Sequence, residues 1–109
     1  MQTETHSKLA GVSMGKEDGE DRQLNVRQLR DGQELFFIHE KDNPFDSCAI
    51  KVFADEAHTK PLGYIQRELA KDITIQGDKM GYKYRIYCTK VTGGGGRTYG
   101  CNVKLVIEG

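Results

Sequence analysis

No apolar run in this sequence approaches the ~18 to 20 residues that a membrane-spanning helix needs, so a membrane span is not expected. The opening segment, Met1 to Lys8, has no apolar stretch of the kind a secretory signal requires. Cysteines are few and scattered. Cys48, Cys88 and Cys101 form no Cys-x-x-Cys, and no histidine stands at zinc spacing from them. That argues against a zinc knuckle and against a disulfide framework. The three are read as reduced thiols, small buried apolar groups in an intracellular, cytoplasmic protein. His6, His39 and His58 are not spaced as a metal pair on a helix, and none stands where a nucleophile–base pair would need it. Nothing in these absences points to an enzyme, a metal or a cofactor. The last absence is one of charge. Residues 79 to 107 contain no aspartate or glutamate but hold Lys79, Lys83, Arg85, Lys90, Arg97 and Lys104, a net of +6. Residues 1 to 78 carry a net of −5, and Glu108 brings the total to zero. An acid-free basic stretch in a neutral protein reads as a surface facing a polyanion, or as a solvated sheet face.

What is present is one domain's worth of chain, 109 residues with 37% hydrophobic and 29% charged side chains, enough for a single thin core. Residues 1–7 are polar and aperiodic and are expected to be a flexible tail, with one domain over 8–109. Residues 8–14 read as a first short strand and 16–22 as a charged loop. Leu24, Val26 and Leu29 anchor a short helix or turn that Asp31-Gly32 ends. Residues 34–39 are a continuous apolar run, which predicts a strand covered on both faces. Pro44 breaks the chain, and strands resume at 48–53 and 61–65. Ile65, Leu69 and Ile73 share one helical face, which predicts a helix over 66–76 closed by Gly77 and Gly81. Residues 82–92 and 99–107 alternate and are joined by a glycine loop, as in a hairpin. The fold class is mainly β, with five or six strands and one or two helices. Short strands avoid exposed edges by closing into a small, mostly antiparallel barrel.

Three stretches carry chemistry. Gly93 to Gly96 is followed by Arg97-Thr98 and then a strand, so it lacks the lysine and the helix of a phosphate loop and reads as a hairpin tip. Asp42-Asn43-Pro44-Phe45-Asp46 joins two strands and sets an aromatic ring among polar side chains. Two readings stay open. One is an Asx-turn with Phe45 tucked into the core. The other is a stiff polar loop with an exposed ring, suited to stacking on a base and bonding its edges and hydroxyls. Gly63-Tyr64-Ile65-Gln66-Arg67-Glu68-Leu69-Ala70 runs from strand into helix, so Arg67 sits near free backbone N–H groups, either as part of an anion site or as an ordinary solvated arginine.

In order, a glycine-bearing first strand, an arginine near position 22, Leu29-x-x-Gly32, Asn43-Pro44-Phe45-Asp46, Ala49-Ile50-x-Val52 and Gly63-Tyr64-Ile65-x-Arg67-Glu68-Leu69-Ala70 resemble the HIRAN domain family across residues 8 to 107. The resemblance implies a modified oligonucleotide-binding barrel. It also implies a nucleic-acid-binding module for single-stranded DNA, one that captures the 3′ end as an accessory to DNA repair or remodelling, with a helicase or nuclease as a further partner. By motif, Asp46 would accept a hydrogen bond from the 3′-hydroxyl and Phe45 would stack on the terminal nucleotide. Asn43 would contact the base, with Asp42 at the polar position before it. Arg67 would hold a phosphate beside Tyr64, and Tyr99 would form the far side of the base pocket. The basic-aromatic pair that the family carries in its first strand is not evident in Val12-Ser13-Met14, and Arg22 stands in for it. Two other readings remain open from the residues alone: a protein-interaction barrel, and an accessory domain of a helicase or nuclease that is inactive by itself.

Overall fold

The computed structural model describes residues 2–15, 19–81 and 83–108, apart from the side chains of residues 2 and 78–80. Tyr82, the expected start of one strand, and Lys16, Glu17 and Asp18 of the charged loop lie outside the described residues, as does the side chain of Lys79. The elements run β1 (Gln2–Ala10), α1 (Arg22–Arg27), β2 (Glu34–His39), β3 (Ile50–Phe53), β4 (Pro61–Ile65), α2 (Arg67–Met80), β5 (Lys83–Gly94) and β6 (Arg97–Glu108). The six strands close into a barrel in the order β1-β4-β3-β2-β5-β6. Every neighbouring pair is antiparallel. The expected small antiparallel barrel with two helices is the fold.

The inward alternation of β5 and β6 supplies one wall of the core. Ile86, Cys88, Cys101, Val103 and Leu105 are all buried, as are Leu35, Val52 and Leu62 from the other strands. Helix α1 packs on β4 and β6 with Val26 inside, and α2 packs on β4 with Ala70 and Ile73 buried. All three cysteines are free thiols. The Sγ atoms of Cys88 and Cys101 touch at 3.6 Å across the β5–β6 ladder, and burial pushes both thiols up.

Five expectations about the elements need correction. Residues 2–7 are not a loose tail: they belong to β1, paired with β6 from Gln2 opposite Glu108 to Lys8 opposite Asn102. The stretch has its own period of two. Thr5 and Ser7 lie opposite the buried Leu105 and Val103, while Glu4, His6 and Lys8 face out. Small hydroxyl side chains fill the inward positions, so hydropathy shows no alternation. The strand then stops at Ala10, because Gly11 turns the chain at φ +70°. Strand β2 is covered on one side only: Leu35 is buried and Ile38 is exposed. Strand β3 begins at Ile50, not Cys48, because residues 46–49 belong to the preceding turn. Helix α2 continues through Gly77 to Met80, and Gly81 in the left-handed conformation caps it. Gly77 is tolerated because Tyr84 lies on it: a side chain there would meet the Tyr84 hydroxyl at 3.0 Å. That hydroxyl donates to the Ile73 carbonyl at 2.8 Å.

At the β1–β4 seam the backbones come close at Gly63 in β4. A Cβ there would sit 2.4 Å from the Ala10 carbonyl oxygen. Gly63→Ala is therefore expected to push β1 and β4 apart and to destabilise the fold by on the order of 2 to 4 kcal/mol. Urea denaturation of the two proteins measures this, and an unchanged midpoint would rule out the close approach.

Candidate functional site

The outer face of β1 and β4 carries an open cleft of about 790 Å³. One wall is the turn after β1, Gly11 to Gly15, and the other is the β2–β3 loop with Asn43, Phe45 and Asp46. Tyr64 and Ala10, paired across β4 and β1, lie between them, and Arg67 stands at the start of α2.

The loop is an Asx-turn, but the ring it carries is not in the core. Asn43 Oδ1 accepts from the Phe45 and Asp46 N–H groups at 2.9 and 3.1 Å. Its Nδ2 donates to Glu40 Oε1 at 3.1 Å. Both acceptor sites of the amide are thus spent on the loop, and one N–H is left to offer. With the backbone so held, Phe45 projects into solvent and is 89% exposed. Asp46 Oδ1 accepts from the Cys48 N–H at 2.9 Å. Its Oδ2 faces Arg67 Nε at 3.7 Å, and the Arg67 side chain is 81% exposed. A pair this open contributes little to stability and is free to exchange partners.

The floor is more tightly bound. Asp21 caps α1 by accepting from the Leu24 N–H at 3.0 Å, which sets Arg22 in the first turn. Arg22 is only 7% exposed. It donates to the Gly11 carbonyl at 2.9 Å and to Glu20 Oε2 at 2.6 Å. Its guanidinium lies 5.5 Å from the centre of the Tyr64 ring. Lys51 Nζ reaches the other Glu20 oxygen at 2.5 Å and lies 5.9 Å from the same ring. The Tyr64 hydroxyl donates to Glu40 Oε1 at 2.8 Å, the oxygen that also receives Asn43. Burial, and then this bond to Glu40, push the Tyr64 phenol up to about 12. Burial pushes the Glu20 carboxyl up, but the hydrogen bonds and charges of Lys51 and Arg22 outweigh it and hold the group below its ordinary value.

Six of the residues marked in the sequence, Arg22, Asn43, Phe45, Asp46, Tyr64 and Arg67, therefore line one cleft. Two do not. Asp42 lies in a shallow depression on the other side of its loop, with Lys41 and Pro44. Tyr99 is half-buried against the core. Its N–H donates to Gln23 Oε1 at 2.6 Å and its carbonyl accepts from Gln23 Nε2 at 2.8 Å. It faces inward on β6, in step with Cys101 and Val103, and so it anchors α1 and does not wall the cleft. Three residues that do not line the cleft but brace its lining side chains, Glu20, Lys51 and Glu40, escaped the sequence reading. Glu20 looks like one more solvated acid in a charged loop, and nothing local announces that it pairs with both the buried Arg22 and the half-buried Lys51. Lys51 was readable: it interrupts the inward pair Ile50 and Val52, and that alternation places it outside. Glu40 carries no local signal.

Among the described residues no three histidine, cysteine or acidic side chains gather as a metal site would require, and no helix is long and apolar enough to cross a membrane. The molecule is a small closed β-barrel with an aromatic-rimmed cleft on its outer face. Residues 5–108 match the HIRAN domain, and the chain belongs to that family. Its fold is similar to the crystal structure of the HIRAN domain of human HLTF, with a TM-score of 0.65 and 13% identity over 95% of this chain and 74% of that one. It is also similar to the crystal structure of a protein from Lactobacillus plantarum, with a TM-score of 0.67 and 18% identity over 99% of this chain and all of the other. No curated protein matches the chain.

Glu20 gives the stability of the fold a pH dependence. A carboxyl held low in the folded state contributes stability that is fully present above its ordinary value of 4.5 and is lost as pH falls through the lowered value. Glu20→Gln leaves Arg22 and Lys51 without a counter-charge and is expected to cost about 1 to 3 kcal/mol at pH 7. Thermal unfolding at pH 7 and pH 3 checks this: the gap between wild type and variant narrows at pH 3, and a constant gap would contradict the pairing.

Proposed function

We propose that this chain is a nucleic-acid-binding module that captures the 3′-hydroxyl end of single-stranded DNA and has no catalytic activity of its own. The observation that supports this most directly is the cleft. A carboxylate oxygen, a displaceable arginine and an exposed aromatic ring face one open space in a member of the HIRAN family.

The chemistry follows from the donors and acceptors present. Phe45 offers a bare face for a base to stack on, a contact worth about 1 to 3 kcal/mol and indifferent to base identity. Asp46 Oδ2 has no backbone partner and accepts a hydrogen bond from a terminal hydroxyl. Arg67 then turns from Asp46 to the phosphate that links the last two nucleotides. Arg22, fixed over Tyr64, adds positive potential to the floor. Asn43 holds the loop and keeps a single N–H for a base edge. Asp42 and Tyr99 take no part. Such a module serves DNA repair or remodelling by delivering an end to a helicase or nuclease, to which any hydrolysis belongs.

A 3′-phosphate cannot donate to Asp46 when ionised, and it brings like charge against it. In this open cleft the mismatch is worth roughly 1 to 3 kcal/mol, or about 5- to 150-fold in affinity. Fluorescence anisotropy with one short oligonucleotide carrying either terminus measures the ratio. Asp46→Asn is expected to shrink it, because the amide donates to phosphate. Arg67→Ala is expected to weaken both ends alike and to reduce the salt slope by about 0.7. Equal affinity of the wild type for both ends would defeat the end-capture reading, and no binding even at low salt would defeat the nucleic-acid reading altogether.

A further inference from the structure

The acid-free basic stretch remains unexplained, because none of its described residues lines the cleft. Its side chains divide by their neighbours. Lys83 lies opposite Glu108 in the ladder, and Arg85 is held among Tyr87, Glu34 and Glu108. Lys104 reaches Glu4 at 3.8 Å and lies 5.6 Å from the centre of the Tyr87 ring. These three are balanced by acids at the end of the sheet far from the cleft. Lys90 differs. It pairs with Asn102, which pairs on its other side with Lys8 of β1. All three side chains face outward, and among the described residues neither lysine has an acidic partner. Asn102 Oδ1 is buried without a hydrogen-bond partner. Asn102 as a whole is half-buried and lies between the two lysines in the ladder.

The row is continuous with the cleft. Ala10 lies opposite Tyr64 and Leu9 opposite Ile65. One step further along β1, Lys8 stands level with the place where β4 gives way to α2 and Arg67. Ala10, in the cleft, and Lys8 share the outer face of β1, two residues apart. From Lys8 the row crosses two strand spacings, about 10 Å, to Lys90. We infer that Lys8, Asn102 and Lys90 form a second contact surface, for the sugar-phosphate backbone of the nucleotides that precede the captured end. The occupant is single-stranded nucleic acid because the row presents two cations with no acidic partner among the described residues and leads straight from the arginine assigned to the last phosphate. This inference rests on the cleft reading, and it gives that reading a length: the site continues past the terminal nucleotides on the β1–β6–β5 face and stops where Glu4, Glu34 and Glu108 begin.

The experiment separates the two. Anisotropy is measured with a labelled trinucleotide and a labelled decanucleotide that share their 3′ sequence and hydroxyl, on the full chain and on the double variant Lys8→Gln, Lys90→Gln. The decanucleotide is expected to bind the wild type more tightly than the trinucleotide. The double variant is expected to lose roughly 5- to 10-fold on the decanucleotide and about 1.4 in its salt slope, two single-strand phosphate contacts, with the trinucleotide unchanged. Its thermal midpoint serves as a check that the exposed substitutions leave the fold intact. If both oligonucleotides bind the wild type equally, or the double variant binds the decanucleotide as well as wild type does, the second surface is refuted while the cleft stands. An equal loss on both lengths also refutes it, since the lysines would then act at the end itself. If the trinucleotide fails to bind even at low salt, the cleft reading falls and takes this one with it.

Discussion

Leu9 opposite Ile65 and Ala10 opposite Tyr64 join β1 to β4, and this short seam turns a curled sheet into a barrel. Each strand at an unclosed seam would present a row of unpaired N–H and C=O groups. With the seam shut, the chain leaves β1 at Gly11 directly beside β4, and the turn through Gly15 is delivered opposite the 43–46 loop. The two walls of the cleft come from segments about thirty residues apart in sequence. They face each other because the seam is in register. The Ala10 carbonyl that crowds Gly63 belongs to a cleft residue, so the packing that shuts the barrel also fixes the position of the cleft floor.

Around that floor the polar groups fall into two kinds. Arg22, Glu20, Lys51, Tyr64, Glu40 and Asn43 bond to one another or to backbone, and all are at least half-buried. Charges withdrawn from water are tolerable only when paired in this way. Phe45 and Arg67 are the opposite, exposed side chains held at the root, with Arg67 bound at its tip only by an open pair with Asp46. A rigid floor with an adaptable rim limits what must be ordered when a ligand binds, because most of the ordering is already complete in the free protein.

Much of this was legible in the sequence, for identifiable reasons. The alternation of Tyr99, Cys101, Val103, Leu105 and Ile107 announced β6, and the glycine run announced the hairpin tip. The order of the Asn43–Asp46 and Gly63–Ala70 motifs brought six of eight marked residues to one cleft. The failures have physical causes. Residues 2–7 looked structureless because a strand lying across small hydroxyl side chains needs no hydropathy pattern: its partner strand supplies the order. Tyr99 was misplaced because an aromatic in an alternating strand belongs first to the face its neighbours use, and here that face is inward. Glu20 and Glu40 were missed because their significance lies in partners that are distant in sequence, and a loop acid looks the same whether it meets water or two cations.

The longest ladder involving β1 pairs residues 2–8 with residues 102–108, so strands from opposite ends of the described chain must find each other. The β5–β6 hairpin forms from near neighbours, whereas closing a loop of about a hundred residues costs roughly 2 kcal/mol more in chain entropy than closing one of ten. Contacts of that separation slow folding and are made late. Docking of β1 is thus expected to be the final event, and it completes the β6 edge, the seam with β4 and the cleft in a single step. Until then the chain holds most of its hairpins but no place for a ligand, so competence to bind reports the finished barrel and no intermediate on the way to it.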